Sequence, residues 1–218
     1  MSGITYDYME QYIRSLIPSN EGELKELEDY AAQNSVPIIQ KEVGKFLELM
    51  INIKKPVKVL ELGTAIGYSA ILMQKSSKSI THITTIERNT DMVKIAKKNI
   101  ENYGFEDSIE ILEGDCLEIL EGLNEKYDFI FMDAGKGHYN HFLPHCLRLL
   151  NKDGIIVADN VLFKGMVATK ELVIRRKITI VKRMKTYLEM VSGNEELITS
   201  VIPMGDGIAV TTRRYSNE

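Results

Sequence analysis

Over the first fifty residues apolar positions recur at three- and four-residue spacing, and from Val57 that rhythm gives way to short runs of β-branched and aromatic residues. Helices are expected around Tyr6 to Ile17, over a second segment with Leu24, Leu27 and Ala31 on one face, and over a third starting at Pro37, a residue suited to the first helical position. In the third, Ile39, Val43, Phe46, Leu47 and Met50 form a core-facing stripe. From Val57 the runs VKVLEL, THITTIE, SIEIL, YDFIFMD and GIIVAD alternate with helix-length stretches. Such alternation predicts parallel strands whose connecting helices cover both faces of a sheet. A long helix is expected from Ala168 to Val191, with Ile174, Ile178, Val181, Met184, Leu188 and Val191 as its apolar stripe. ELITSVIP and IAVTTRR, joined around Gly205-Asp206-Gly207, read as two strands of a hairpin. The expected fold is α/β: a doubly wound, mostly parallel seven-stranded sheet of Rossmann-like type, ending in an antiparallel hairpin. One domain is expected over residues 1–218, with a helical extension over 1–54 ahead of the core at 55–218.

Composition changes this picture little. A chain of 218 residues has room for a substantial buried core. No apolar stretch approaches the roughly 18 to 20 residues of a membrane span, so no membrane role is expected. The N-terminus carries no basic stretch followed by an apolar one, which makes the cytoplasm the expected compartment. Cys116 and Cys146 form no CxxC pattern and imply neither a disulfide framework nor a cysteine metal site. Charge is more informative. The net charge of -4 conceals a segment from Lys164 to Thr186 in which Lys164, Lys170, Arg175, Arg176, Lys177, Lys182, Arg183 and Lys185 face a single acid, Glu171. Such a stripe suits a polyanion, and it equally suits the solvated face of an amphipathic helix.

The chemistry gathers at the strand ends. The first strand runs into ELGTAIGYS, where Gly63 and Gly67 let the backbone approach a ligand at the start of a helix. The spacing is GxxxG, not the GxGxxG of a pyrophosphate site, and Glu61 precedes it. A carboxylate there would repel a pyrophosphate and attract the ammonium of an amino-acid ligand such as S-adenosylmethionine. The second strand ends at Glu87, where an acid can take both ribose hydroxyls. Asp115 and Cys116 follow the third strand, either framing an adenine or simply capping a helix. The fourth strand delivers Asp133 and Lys136, and the fifth Asp159 and Asn160. Two carboxylates and an amide oxygen make a hard donor set suited to Mg²⁺. Asp159 and Asn160 can share one ion only if the chain turns there, since successive strand residues face opposite ways; the pair also reads as the mere start of a loop.

From Val57 to Arg213 the order ELGTAIGYS, IE, GDC, MDAGK, ADN, MGDGIAV resembles the metal-dependent class I O-methyltransferases, which include the catechol and caffeoyl-coenzyme A enzymes. The resemblance implies that Asp133, Asp159 and Asn160 bind the metal and that Lys136 lies near the acceptor hydroxyl. It also implies that Val36, Glu61, Gly63, Ser69, Glu87, Asp115, Cys116 and Asp133 surround S-adenosylmethionine, with Asp133 and Lys136 as the catalytic pair. Within the family the chain is most similar to the bacterial tRNA 5-hydroxyuridine methyltransferases. The implied acceptor is then a tRNA anticodon loop, contacted through Lys164 to Lys185, with a small phenol or catechol as the alternative. A homodimer through the N-terminal helices is implied as well. Outside this class stand a nicotinamide dehydrogenase, favoured only by the fold, and a non-catalytic RNA-binding module, which leaves the acidic trio unexplained. His138, His141 and His145 share a helix face and read as packing or surface groups before they read as a second metal site. His138 and Tyr139 are further candidates for the acceptor pocket.

Overall fold

A computed structural model of the chain describes residues 4–215, so the outermost three positions at either end of the expected domain lie outside the described residues. The strands fall where the hydrophobic runs place them: β1 (Lys58–Leu62), β2 (His82–Glu87), β3 (Ile109–Glu113), β4 (Tyr127–Met132), β5 (Leu150–Ala158), β6 (Leu197–Ile202) and β7 (Ile208–Arg213). They form one sheet in the order β3-β2-β1-β4-β5-β7-β6. The first five are parallel, and β7 runs antiparallel to both β5 and β6, as the expected hairpin requires. Strand β5 begins four residues ahead of the expected Gly154. A register shift opposite Tyr127 and Phe129 absorbs the polar Asn151-Lys152-Asp153, and the Asn151 amide steadies it by donating to Asp128 Oδ1 at 2.6 Å.

Alternation along each strand divides the interior into two cores. Leu60, Leu62, Ile130, Met132, Ile156 and Ala158 meet α6 (Cys116–Gly122), α7 (Tyr139–Leu149) and α8 (Ile178–Ser192) on one face. Val59, Ile83, Phe129, Phe131 and Val157 meet α2 (Glu23–Asn34), α3 (Lys41–Lys54), α4 (Tyr68–Ser76) and α5 (Thr90–Asn102) on the other. Leu24, Leu27 and Ala31 are buried on α2, as their spacing predicts.

Two helix boundaries differ from the expectation. Helix α3 starts at Lys41, not Pro37, and Gln40 before it is extended (φ -69°, ψ 155°). Ile39 is still buried, because an extended strap can seat a side chain in the core without helical phase. The long helix expected from Ala168 is confined to α8. It is preceded by turns and a single 3-10 turn at Arg175–Lys177, and Ile174 is 52% exposed. Phe163, Met166 and Val167, just ahead of the expected helix, are buried, and Tyr187, absent from the expected stripe, is fully buried on α8.

The first helix, α1 (Asp7–Ser15), is anchored by ion pairing. Arg14 is bidentate on the buried Glu42, at 2.7 Å to each carboxylate oxygen, and also donates to Gln40 Oε1 at 2.6 Å. Removing the guanidinium would leave a buried carboxylate without its main donor. Arg14→Ala should lower unfolding free energy by about 1–3 kcal/mol, read from urea denaturation. An unchanged midpoint would mean that the Arg14–Glu42 pair does not anchor α1.

Candidate active site

The strand order reverses between β1 and β4, and in open α/β sheets the ligand crevice lies at such a switch point, outside the carboxyl ends of the strands. A cleft of about 470 Å³ occupies this place. Its wall brings together Gly63 after β1, Glu87 and Arg88 after β2, Asp115 and Cys116 at the start of α6, Asp133 to Lys136 after β4, and Asp159 and Asn160 after β5. The strap Pro37 to Gln40 closes one side.

At the β1–β3 end, Gly63 (φ 102°) and Gly67 (φ 86°) hold backbone conformations that favour glycine. A Cβ at Gly63 would also stand 3.0 Å from that of Ala134, so the loops after β1 and β4 touch there. Glu87 accepts the N–H of Ala65 at 3.0 Å and of Asn89 at 2.9 Å, which ties the glycine loop to the end of β2. Asp115 caps α6 by accepting the Leu117 N–H at 2.9 Å, so the bland reading of this residue is realised even as it lines the cleft. Burial, with the charges of Asp115 and Glu87, pushes the Cys116 thiol up to about 12, which suits packing and not nucleophilic attack.

Glu61, Ser69 and Val36 are not on the cleft surface. Glu61 is fully buried. The Thr85 hydroxyl donates to its Oε2 at 2.5 Å, whereas Oε1 has no hydrogen-bond partner of ordinary geometry. Burial pushes its carboxyl up to about 7, against the opposing pull of the Ser69 and Thr85 hydroxyls. Ser69 is buried at the start of α4. Val36 is half-buried against the core and donates its N–H to Ala31 O, while the four residues after it form the wall.

The β4–β5 end is built by strand register. Met132 pairs with Ala158, so the next residues, Asp133 and Asp159, leave adjacent strands side by side. Asn160 is left-handed (φ 61°), a conformation asparagine tolerates, and the chain therefore turns at the position where a shared ion requires it. The Asn160 amide donates to Asp133 Oδ1 at 3.0 Å and accepts from Lys136 Nζ at 2.6 Å. Beneath them the buried Tyr139 hydroxyl reaches the carbonyls of Met132 (2.9 Å) and Asp159 (3.1 Å), locking the two strand ends together. Burial raises both carboxyl pKa values, and the charge of Asp133 raises Asp159 further; Lys136 opposes the rise at each. Buried, mutually repelling carboxylates with one lysine between them form an oxygen donor set short of positive charge, which fits a divalent cation. Among the described residues no three His, Cys, Asp or Glu side chains gather as a ligand set, so such a site depends on the Asn160 amide.

The histidines form no such set either. His138 precedes α7 and lines the cleft, its ring stacked 6.1 Å from Phe142. Burial, then the charges of Arg183 and His141, lowers its pKa. Tyr139 is fully buried and so is absent from the cleft surface where it was expected beside His138. Arg88, Phe142 and the strap carry no motif; only Arg88, next to the strand-end Glu87, has a position that marks it.

The family model for O-methyltransferases matches residues 16–214, and the chain belongs to that family. A catechol O-methyltransferase of Niastella koreensis is 31% identical over 173 residues, covering 77% of this chain and 78% of that protein. The caffeoyl-CoA O-methyltransferase of Populus kitakamiensis is 28% identical over 225 residues, covering 94% and 93%. Among solved structures, a Staphylococcus aureus protein assigned as a caffeoyl-CoA O-methyltransferase superposes with a TM-score of 0.87 at 33% identity, over 95% of this chain and 100% of that one. The Bacillus cereus O-methyltransferase in complex with SAH gives 0.83 at 25%, over 95% and 97%. Membership sets aside the dehydrogenase and non-catalytic readings.

The raised carboxyl of Glu61 has a consequence for stability. Between the ordinary carboxylate range near ~4 and about 7 the folded chain keeps a proton on Glu61 that the open chain has lost. Stability from this group is thus complete at low pH and disappears as pH rises through about 7. Thermal melts in chelator should show a falling midpoint from pH 5 to pH 8. Glu61→Gln should make that slope shallower without abolishing the share of the buried Asp133 and Asp159, removing a cost on the order of 3 kcal/mol at the alkaline end. A wild-type slope retained in the variant would assign it to other groups.

Proposed function

We propose that this protein is an S-adenosylmethionine- and divalent-metal-dependent O-methyltransferase that methylates the 5-hydroxyl of a wobble uridine in tRNA, giving 5-methoxyuridine. The observation that carries the chemistry is the meeting, in one cleft, of the glycine loop after β1 and the acids Glu87 and Asp115 after β2 and β3 with Asp133, Asp159 and Asn160. S-adenosylmethionine, when bound, supplies an electrophilic methyl group. In this reading Glu87 takes the ribose hydroxyls, Asp115 and Cys116 border the adenine, and Gly63 lets the backbone approach. The unpartnered Oε1 of Glu61 supports an interaction with the ammonium end, with Ser69 steadying that carboxylate and Val36 backing the strap.

Asp133, Asp159 and Asn160 would hold a divalent cation such as Mg²⁺, whose Lewis acidity makes a chelating hydroxyl acidic near neutral pH. Lys136 Nζ, which rests on the Asn160 amide oxygen, is the group placed to accept the hydroxyl proton or to steady the oxyanion. Strand ends fixed by the Tyr139 bonds would orient a bound acceptor toward the cofactor, the kind of positioning from which much of the rate gain arises.

The acceptor is argued from the basic segment. Arg183 donates to the Gly137 carbonyl at 3.1 Å, which docks α8 on the loop carrying Lys136. Lys164, Lys170, Arg175, Arg176 and Lys182 are exposed, and among the described residues none of the eight cations stands within ion-pair distance of a carboxylate. Unpaired cations beside an acceptor site suit phosphates, and an anticodon loop presents its bases unstacked. In 5-hydroxyuridine the hydroxyl neighbours the 4-oxo group, so the base offers the two adjacent oxygens that chelation needs. Among the described residues no helix is long and apolar enough to cross a membrane. We place the enzyme in the cytoplasm as a homodimer, for which the exposed Tyr6, Tyr8, Tyr12 and Leu16 at the N-terminal helix offer an apolar surface. A small catechol-like acceptor is the second reading, favoured by the catechol and caffeoyl-CoA enzymes among the relatives.

Methyl transfer from labelled S-adenosylmethionine, to tRNA bearing 5-hydroxyuridine and in parallel to a catechol, decides between them. The tRNA should be labelled with Mg²⁺ and not with chelator. Asp133→Ala should abolish labelling, and Lys136→Met should slow it about 10²- to 10⁴-fold. Labelling should also weaken steeply as salt rises. Labelling of the catechol alone, insensitive to salt, would make the basic segment a solvated face and the enzyme a small-molecule methyltransferase.

A further inference from the structure

Directly after β5 three non-glycine residues adopt left-handed backbone: Asn160 (φ 61°), Phe163 (φ 44°) and Lys164 (φ 56°). Asparagine accepts this readily, but phenylalanine and lysine each do so at a cost of about 1–2 kcal/mol, so the loop keeps its path only if something outside it enforces that path. The turn between β6 and β7 supplies the restraint. Val161 N–H donates to Gly207 O at 2.9 Å and Leu162 N–H to Asp206 O at 3.0 Å. The Asp206 carboxylate accepts the Lys164 N–H at the strained position itself. Asp206 is only 7% exposed, and among the described residues it has no ion-pair partner. The contact admits no bulk, since a Cβ on Gly207 would fall 2.4 Å from Leu162 Cγ.

We propose that Asp206 is a positioning residue for the cation site: by fixing the left-handed path of residues 160–164 it keeps the Asn160 amide beside Asp133. The inference rests on the metal reading given above. Asn160 would contribute the neutral oxygen ligand that completes the two carboxylates, and its side chain reaches Asp133 where the chain turns as it leaves β5. Without the Asp206 carboxylate, Lys164 loses its hydrogen-bond acceptor and the backbone relaxes toward ordinary φ. The amide oxygen is then no longer held at the cleft.

The test is Mn²⁺ binding by titration calorimetry, with no methyl transfer involved, on the wild type, Asp206→Ala, Asp206→Asn and the double variant Asp206→Ala with Lys164→Gly, each checked for fold by circular dichroism. Asp206→Ala should bind Mn²⁺ about 10-fold or more weakly, the usual effect of losing a residue that orients a ligand. Asp206→Asn retains an acceptor oxygen and should stay close to wild type. The glycine at 164 accepts positive φ without strain and should restore part of the lost affinity. Should Asp206→Ala not fold, Asp206→Ser decides, because its shorter side chain withdraws from the Lys164 N–H and should show the same weakening. Affinity equal to wild type in Asp206→Ala or Asp206→Ser overturns the proposal, as does a loss that neither asparagine nor the glycine at 164 repairs. A wild type that binds no Mn²⁺ overturns the metal reading, and this inference with it.

Discussion

Parallel strand pairing forces Asp133 and Asp159 together, and the rest of the cleft is arranged around that repulsion. Neighbouring parallel strands end at the same level of the sheet, so acids that follow Met132 and Ala158, which pair in register, have no freedom to separate. Both side chains are shielded from water, which disfavours ionisation of each; the charge of Asp133 raises Asp159 further, and that of Glu61 raises Asp133. A globular domain keeps such an arrangement at a net loss unless positive charge is delivered to it. Lys136 delivers some, through its bond to the Asn160 amide, and the left-handed turn at Asn160 lets that amide serve both the lysine and Asp133. Tyr139 beneath and the Asp206 turn beside it hold the backbone on which this balance depends. The chain thus spends folding energy on buried carboxylates at this locus, a sign of function carried by the physics apart from any relative's name.

The other half of the cleft follows a different logic. Its acids are less crowded and are held by backbone amides, Glu87 by the glycine loop and Asp115 by the first turn of α6. These bonds orient the carboxylates while leaving lone pairs for a ligand's hydroxyls. Glu61 departs from this pattern, sealed under the loop with one oxygen unpartnered. It alternates along β1 with Leu60 and Leu62, so it belongs to the face that packs against α4, where Ser69 lies.

Strand positions were legible because they rest on periodicity, a property of the local chain: five of the seven fall within the expected runs, β3 ends one residue beyond its run and β5 begins four residues ahead of its own. The cleft residues at strand ends were legible for a related reason: a parallel sheet brings every carboxyl end to one edge, so an acid closing a strand is located once the strand is. Contacts between distant segments were not legible. Nothing in the spacing of Arg14, Gln40 and Glu42 announces a bidentate pair, and nothing in Gly-Asp-Gly reveals that its carboxylate secures a loop after another strand. The two misplaced helix starts share a cause. Pro37 is compatible with a first helical turn and with an extended strap, and the apolar residues of 168–177 repeat at helical spacing although they lie in turns. Local pattern permits both outcomes, and packing selects one.

The same division between sheet and loops bears on the acceptor. Everything that the chemistry needs sits on strand ends or is locked to them, and such a platform serves any hydroxyl that has an oxygen neighbour. Relatives named for catechol and for caffeoyl-CoA share the family and differ in the acceptor. Acceptor choice therefore has to be made by segments outside the strands, and here the segment that leaves the acidic trio is the one carrying the chain's excess of positive charge. With the remainder of the molecule net acidic, the proposed polyanionic acceptor would be repelled elsewhere and attracted at this segment. A neutral phenol would gain nothing from that asymmetry, whereas an RNA loop would be steered by it to the one edge of the sheet where the reaction takes place.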